Sequence, residues 1–125
     1  PHSTIGSTRC AMQALVVKRG DVVIVVAPGE LGKPRPAVVV QADELGDATT
    51  SVVVCPLSSA IARAGRIRPV LEPTPANGLR ARSQVMTDKI TALRRDRVRG
   101  SVGRLDPDQT ARLDRALLVV LGLAQ

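Results

Sequence analysis

The chain has 125 residues and a net charge of +7, and 44% of its residues are hydrophobic although Phe, Trp and Tyr are all absent. This length is enough for one modest domain, whose core must be built from Val, Leu, Ile and Ala. The lack of aromatic rings argues against nucleic-acid modules in which bases stack on aromatic side chains, but not against a protein that binds phosphate groups.

The positive charge is concentrated in one part of the chain. Residues 61–104 contain ten Arg and one Lys but only three acidic residues, whereas the charges of the remainder nearly cancel. This segregation favours a polyanionic partner, either nucleic acid or an acidic protein segment, over a solvated arginine-rich surface.

The amino-terminal residues carry no pattern. We interpret residues 1–11, which precede Met12 and include the only histidine, as an expression remnant, and 12–125 as a single domain. Two cysteines are too few for a disulfide framework or a metal site, and Cys55 in a valine run is expected to be a small buried hydrophobe. No apolar stretch approaches the ~18 residues of a membrane span and no secretory signal is evident, so we expect a protein of the reducing cytoplasm.

The first half of the chain predicts three strands. The valine-rich segments at 15–27, 36–41 and 51–57 have strand composition, with a kink or bulge at 19–21 in the first of them. Pro56 lies near the end of the third strand, where a missing N–H is tolerated.

The second half predicts shorter elements and one long helix. In chain order we expect a half-buried strand at 66–73, a turn-rich loop at 74–81, a strand at 83–93, a short helix at 94–98 and a last strand at 99–105.

The helix at the carboxyl end has the strongest local signals. Asp106 can cap it, Pro107 suits its first position, and Gln109 can complete a capping box. Apolar residues then recur at helical spacing from Leu113 to Leu121, and Gly122 can close the helix. The sequence therefore predicts five or six short strands curled into a small barrel or sheet, followed by a helix.

Common catalytic motifs are absent. There is no Walker A sequence, no G-x-G-x-x-G after a strand, no H-E-x-x-H, and no Ser-His-Asp set once His2 is set aside. Acidic residues do not cluster, so neither a metal nor another cofactor is expected. What remains is Arg, Ser, Thr and Asp at strand ends, a set that suits RNA cleavage in which the substrate's own 2′-OH is the nucleophile.

Five segments resemble, in order, the MazF/PemK (Kid) toxins of toxin–antitoxin pairs. They are "KRGDVVIV", "KPRPAVVVQAD", "VVVCPLSS", "SQVMTDKITAL" and "LDRALLVVLGL", which together cover about residues 17–123. The resemblance implies a mainly β fold, an SH3-like β-barrel with short helices and a C-terminal α-helix, assembled as a homodimer. It also implies a metal-independent, sequence-specific endoribonuclease that cleaves single-stranded RNA to 2′,3′-cyclic phosphate and 5′-hydroxyl ends. A cognate antitoxin with an acidic tail would block the site.

The resemblance implies three catalytic residues. Arg35, between Pro34 and Pro36, would stabilise charge at the scissile phosphate, and Ser58 takes the place of the family's threonine at the end of the third strand. Asp88 matches an acidic position that would assist proton transfer or position the RNA.

Basic residues nearby are the predicted RNA contacts: Lys33, Arg63, Arg66, Arg68 and Lys89. Lys89 stands where the family usually has glutamine. Arg19 and Asp21 are interpreted as a structural ion pair at the entrance to the first strand.

Two alternatives stay open. Related gyrase-poisoning toxins use the same barrel without cleaving RNA, so this chain could be a non-catalytic binding module. It could also be a degenerate toxin that captures antitoxin but cleaves poorly.

Overall fold

The computed structural model describes residues 16–26 and 33–124, and the interpretation of residues 1–11 therefore lies outside it. The strands are β1 Asp21–Val25, β2 Arg35–Val39, β3 Ser51–Ser58, β4 Val70–Leu71, β5 Ser83–Val85, β6 Thr91–Arg94 and β7 Val98–Arg104. Within these described residues, four single 3₁₀ turns cover Asp43–Leu45, Gly65–Ile67, Thr87–Lys89 and Arg95–Arg97, and one α-helix, α1, covers Pro107–Val120.

All strand pairs are antiparallel, and the sheet runs in the order β4-β5-β3-β2-β1-β7. The long β3 organises it, because one edge pairs with β2 while the other pairs first with β6 and then with β5. Pro56 lies where β3 changes partner, between Val54, which pairs with β6, and Leu57, which pairs with β5. The missing N–H of Pro56 is tolerated there, as the sequence predicted.

The valine-rich strands are buried on both faces, since successive residues point to opposite sides of the curled sheet. Val22 and Val38 face one apolar cluster, which also holds Leu113 and Leu117 of α1. Val23 and Val39 face a second cluster. The predicted mainly β fold with a C-terminal helix is confirmed.

The start of α1 forms as its sequence predicts. The Asp106 side chain accepts a hydrogen bond from the Gln109 N–H at 2.7 Å, and the Gln109 side chain accepts one from the Asp106 N–H at 3.2 Å. Beyond the helix, Gly122 adopts a φ of +75°, which favours glycine. Local signals therefore fix both ends of α1.

Three predicted elements are shorter than expected. Only Val70–Leu71 of the segment 66–73 is strand, because Gly65–Ile67 forms a turn. The segment 83–93 is divided into β5 and β6 by the turn Thr87–Lys89, and the helix expected at 94–98 is the single turn Arg95–Arg97.

The predicted ion pair between Arg19 and Asp21 is wrong. Arg19 instead contacts Asp114 on α1 at 2.7 Å, and Asp21 contacts Arg104 on β7 at 2.6 Å. The turn at Gly20, with a φ of +92°, separates the two side chains, so each pairs with a residue brought near by the tertiary fold.

Candidate active site

A cleft of about 750 Å³ opens at one end of the sheet. Its walls are the start of β2, the end of β3 with the two residues that follow, and residues 78–81 after the Asn77 turn. Met86 and Lys89 close a further side. Arg35, Ser58 and Lys89, predicted from three separate segments of the sequence, therefore lie around one cavity.

Arg35 is the first residue of β2 and pairs with Val25 of β1. Pro36 restricts the backbone of the preceding residue to extended conformations, and Pro34 has a fixed φ. Arg35 therefore starts at the cleft from a backbone with little freedom, and the residue itself is exposed.

Ser58 ends β3, opposite Gln84 of β5. Its Oγ accepts a hydrogen bond from the Ala60 N–H at 3.1 Å and lies 3.4 Å from the Ala60 carbonyl oxygen, to which it can donate. This short turn follows β3 directly and leaves the half-buried Ser58 at the cleft wall.

Arg80 lines the same cleft and was not among the predicted site residues. The loop that carries it is fixed by Asn77, whose fully buried side chain accepts hydrogen bonds from the N–H groups of Thr74 and Leu79 and donates one to the Glu72 carbonyl. The sequence signal was present, since Arg80 belongs to the basic segment and follows an Asn-Gly turn. Its proximity to Arg35 depends on tertiary structure.

Asp88 is held by a different partner. Its two carboxylate oxygens accept hydrogen bonds from Arg68 Nε and Nη2 at 2.8 and 2.9 Å, and neither residue lines the cleft. Hydrogen bonding to the guanidinium lowers the pKa of Asp88 and raises that of Arg68. A carboxylate with a lowered pKa is a weaker base, so this geometry suits a positioning role better than proton abstraction.

The other predicted RNA contacts lie outside the cleft. Lys33 is exposed two residues before Arg35, and Arg63 is exposed on the segment after Ser58. Arg66 borders a separate hollow together with Arg112 and Arg115 of α1.

Cys55, the one cysteine among the described residues, is not a reactive thiol. Burial raises the pKa of the Cys55 thiol to about 12, so this fully buried residue stays protonated, in keeping with its predicted role as a small hydrophobe. Within residues 16–26 and 33–124, no three His, Cys, Asp or Glu side chains are grouped so that they could hold a metal ion. No helix in the same ranges is long and apolar enough to span a membrane.

Comparison with known proteins gives consistent matches over nearly the whole chain. A family model described as "PemK-like, MazF-like toxin of type II toxin-antitoxin system" matches residues 18–121. The "Probable endoribonuclease MazF" of Mycolicibacterium smegmatis is 44% identical over 109 residues, which is 86% of this chain and 99% of that protein.

Solved structures show the same fold at lower identity. A mycobacterial endoribonuclease in complex with its cognate antitoxin superimposes with a TM-score of 0.74 at 23% identity, over 87% of this chain and 98% of that chain. The MazE–MazF complex of Deinococcus radiodurans superimposes with a TM-score of 0.69 at 21% identity, over 87% and 99% of the two chains.

Proposed function

Because the chain belongs to the PemK-like, MazF-like family of type II toxins, we propose that it is a metal-independent, sequence-specific endoribonuclease that cleaves single-stranded RNA. The observation that carries this proposal is the cleft at which Arg35, Ser58, Arg80 and Lys89 meet. Three cations and a hydroxyl around one cavity are suited to a phosphodiester.

In the proposed reaction the RNA supplies its own nucleophile. The 2′-hydroxyl gives its proton to water as its oxygen attacks the adjacent phosphorus, the bond from phosphorus to the 5′-oxygen breaks, and that oxygen takes up a proton from water. The products carry a 2′,3′-cyclic phosphate and a 5′-hydroxyl. The protein has to orient the phosphate and stabilise the negative charge that develops on its oxygens.

Arg35 and Ser58 have the chemistry for these two tasks. A guanidinium is planar and can donate to two phosphate oxygens at once, while the serine hydroxyl can donate to one. Lys89 and Arg80 add positive charge to the wall of the cleft. Lys33, Arg63 and Arg66 would contact the flanking RNA backbone. Arg68, also predicted as an RNA contact, is less suited to it, because its guanidinium nitrogens bind Asp88 and Gln84.

The family assignment also supports partners and location. We expect a cognate acidic antitoxin, since both solved structures described above are complexes with an antitoxin. A homodimer in the cytoplasm is the assembly and location that the resemblance implies.

The test is cleavage of a long single-stranded RNA with chelator present, followed by end-group analysis. We expect 5′-hydroxyl ends from the wild type, and a loss of about 100- to 1000-fold in kcat for both Arg35→Ala and Arg35→Lys. We expect Arg35→Lys to lose activity because lysine keeps the positive charge but lacks the planar guanidinium that can donate to two phosphate oxygens at once. Arg99→Ala, an exposed arginine of β7 outside the cleft, is the matched control and should cleave normally.

Full activity in Arg35→Ala would refute the proposed site, and loss of cleavage with chelator would refute the metal-free reaction. A wild type that binds antitoxin but leaves RNA intact would instead identify the binding-only alternatives.

A further inference from the structure

Gln84 is a buried polar residue in the middle of β5, only 1% exposed, and it faces the segment that follows Ser58. Its Oε1 accepts a hydrogen bond from the Ala62 N–H at 2.9 Å, and its Nε2 donates one to the Ala62 carbonyl at 2.9 Å. The side-chain amide therefore holds the backbone of Ala62 at two points, much as a neighbouring strand would.

These contacts continue to the Ser58 hydroxyl. Ala62 is two residues beyond Ala60, whose N–H is bonded to Ser58 Oγ, and Ser58 itself pairs with Gln84 across β3 and β5. Gln84 thus fixes both ends of the short segment that sets the orientation of this hydroxyl.

Further contacts attach Ile67 and Arg68 to β5 and to the chain beyond it. Arg68 Nη1 donates to Gln84 Oε1 at 3.4 Å while its other nitrogens bind Asp88, and the buried Thr87 hydroxyl donates to the Ile67 carbonyl. Asp88 is therefore linked through Arg68 to Gln84, although it does not line the cleft.

We propose that Gln84 is a positioning residue, which holds the 59–62 segment so that the Ser58 hydroxyl faces the cleft, and that Asp88 acts on the reaction through Arg68 and Gln84. This inference rests on the proposed function of the cleft. Gln84 does not line the cleft, so its effect must pass through Ser58.

The first measurement is a double-mutant cycle in RNA cleavage. We expect Gln84→Met, which keeps the side-chain length but cannot bridge Ala62, to lower kcat by about 10- to 100-fold with little change in KM, because small misplacements of a reacting group have effects of this size. In a Ser58→Ala background the same substitution should lower kcat little further, because the hydroxyl that Gln84 orients is already absent. An equal loss in both backgrounds would overturn the proposal.

The second measurement does not depend on activity. Amide hydrogen exchange of Ala60 and Ala62 should become about two- to tenfold faster in Gln84→Met, as expected for loss of neutral hydrogen bonds. Unchanged exchange at Ala60 would overturn the proposal, whatever the kinetics. If the wild type cleaves no RNA, the proposed function fails, and exchange at Ala60 still decides whether Gln84 positions the Ser58 turn.

Gln41→Met is the matched control. Gln41 is also buried, and its amide holds Val53 N–H and the Thr49 hydroxyl, but it lies away from the cleft. The Gln41→Met substitution should lower Tm without changing kcat or the amide exchange of Ala60. If Gln84→Met does not fold, Gln84→Glu takes its place in the cleavage cycle and in the measurement of exchange at Ala60, with the same expectations. It keeps the acceptor for the Ala62 N–H and loses the donor to the Ala62 carbonyl, so exchange at Ala62 itself should change little.

Discussion

Arg35 shows how neighbouring residues can prepare a functional side chain before the fold is complete. Pro36 keeps Arg35 extended and Pro34 limits the chain before it, so little backbone entropy remains to be lost when β2 forms. A flexible glycine at either position would leave the guanidinium less fixed. The proline–arginine–proline sequence is therefore a local device for placing one cation at the mouth of the cleft.

The ion pair between Asp88 and Arg68 should make the stability of the folded protein depend on pH. Because the pKa of Asp88 is lowered in the folded state, its contribution to stability is complete above the ordinary carboxyl pKa of about 4 and declines as the pH falls below it. Asp88→Asn should therefore lower Tm at pH 7, and its difference from the wild type should shrink toward pH 3.

Thermal unfolding at pH 7, 5, 4 and 3 measures this difference. Asp96→Asn is the control, since its pair with Arg94 is far more exposed and should contribute little at any pH. A Tm difference for Asp88→Asn that stays constant down to pH 3 would contradict a lowered pKa.

At the scale of elements, local signals were sufficient for α1 and for the first three strands. The capping box and the valine runs depend on neighbours in sequence, so they could be interpreted without tertiary information. The 83–93 segment could not, because its division at Thr87–Lys89 lets β5 and β6 pair with different halves of β3.

For the candidate site, too, local sequence signals could be interpreted but distant pairings could not. Arg35 and Ser58 were predicted from the family resemblance, and both line the cleft. The partner of Asp88 could not be predicted, because it lies 20 positions away in the sequence. The pairing of Arg19 with Asp114 spans 95 positions, and no local pattern indicates it. Arg80 was missed because only the tertiary fold brings its loop to the cleft.

A methyl group added at Gly78, in the turn Asn77-Gly78, should strongly destabilise the folded protein. Gly78 has a φ of +68°, and a Cβ there would lie 2.2 Å from the Val102 carbonyl oxygen. Gly78→Ala should lower the free energy of unfolding by more than about 1 kcal/mol, because both backbone strain and a backbone clash oppose it. Cleavage should also fall, since the loop carries Arg80.

Urea unfolding of Gly78→Ala and of Gly100→Ala tests this prediction. A Cβ at Gly100 on β7 would meet nothing within 4 Å, so Gly100→Ala should change the free energy of unfolding by no more than about 0.5 kcal/mol. Equal stability of the two variants would show that the turn can relax.

For the whole molecule, apolar side chains remain at the surface among the described residues. Leu121 is 53% exposed and Leu123 is 72% exposed, and both border a hollow that also includes Leu45 and Leu118. We therefore expect a dimer, since a small monomer rarely exposes clustered apolar surface of this kind. Light scattering should give twice the chain mass at micromolar concentration, and a monomer mass would contradict the expectation.

The basic segment predicts how an acidic antitoxin would associate. Its +8 charge should accelerate encounter with a negative partner, and salt should slow it because charges are screened over roughly 10 Å at 0.1 M ionic strength. Stopped-flow association should therefore slow markedly with added salt while dissociation changes less. An association rate independent of salt would exclude electrostatic steering.

The pairing of β1 with β7 has a consequence for synthesis of the chain. Asp21 pairs with Arg104, so β1, which can already pair with β2, has to wait for its second partner until β7 has been synthesised. At about 5–20 residues per second that wait lasts several seconds, and a strand topology of such distant contacts then closes slowly. Val102 of β7 also borders the cleft. The cleft of a nascent chain therefore lacks part of its wall until β7 has been synthesised, and the proposed cleavage should not begin before then.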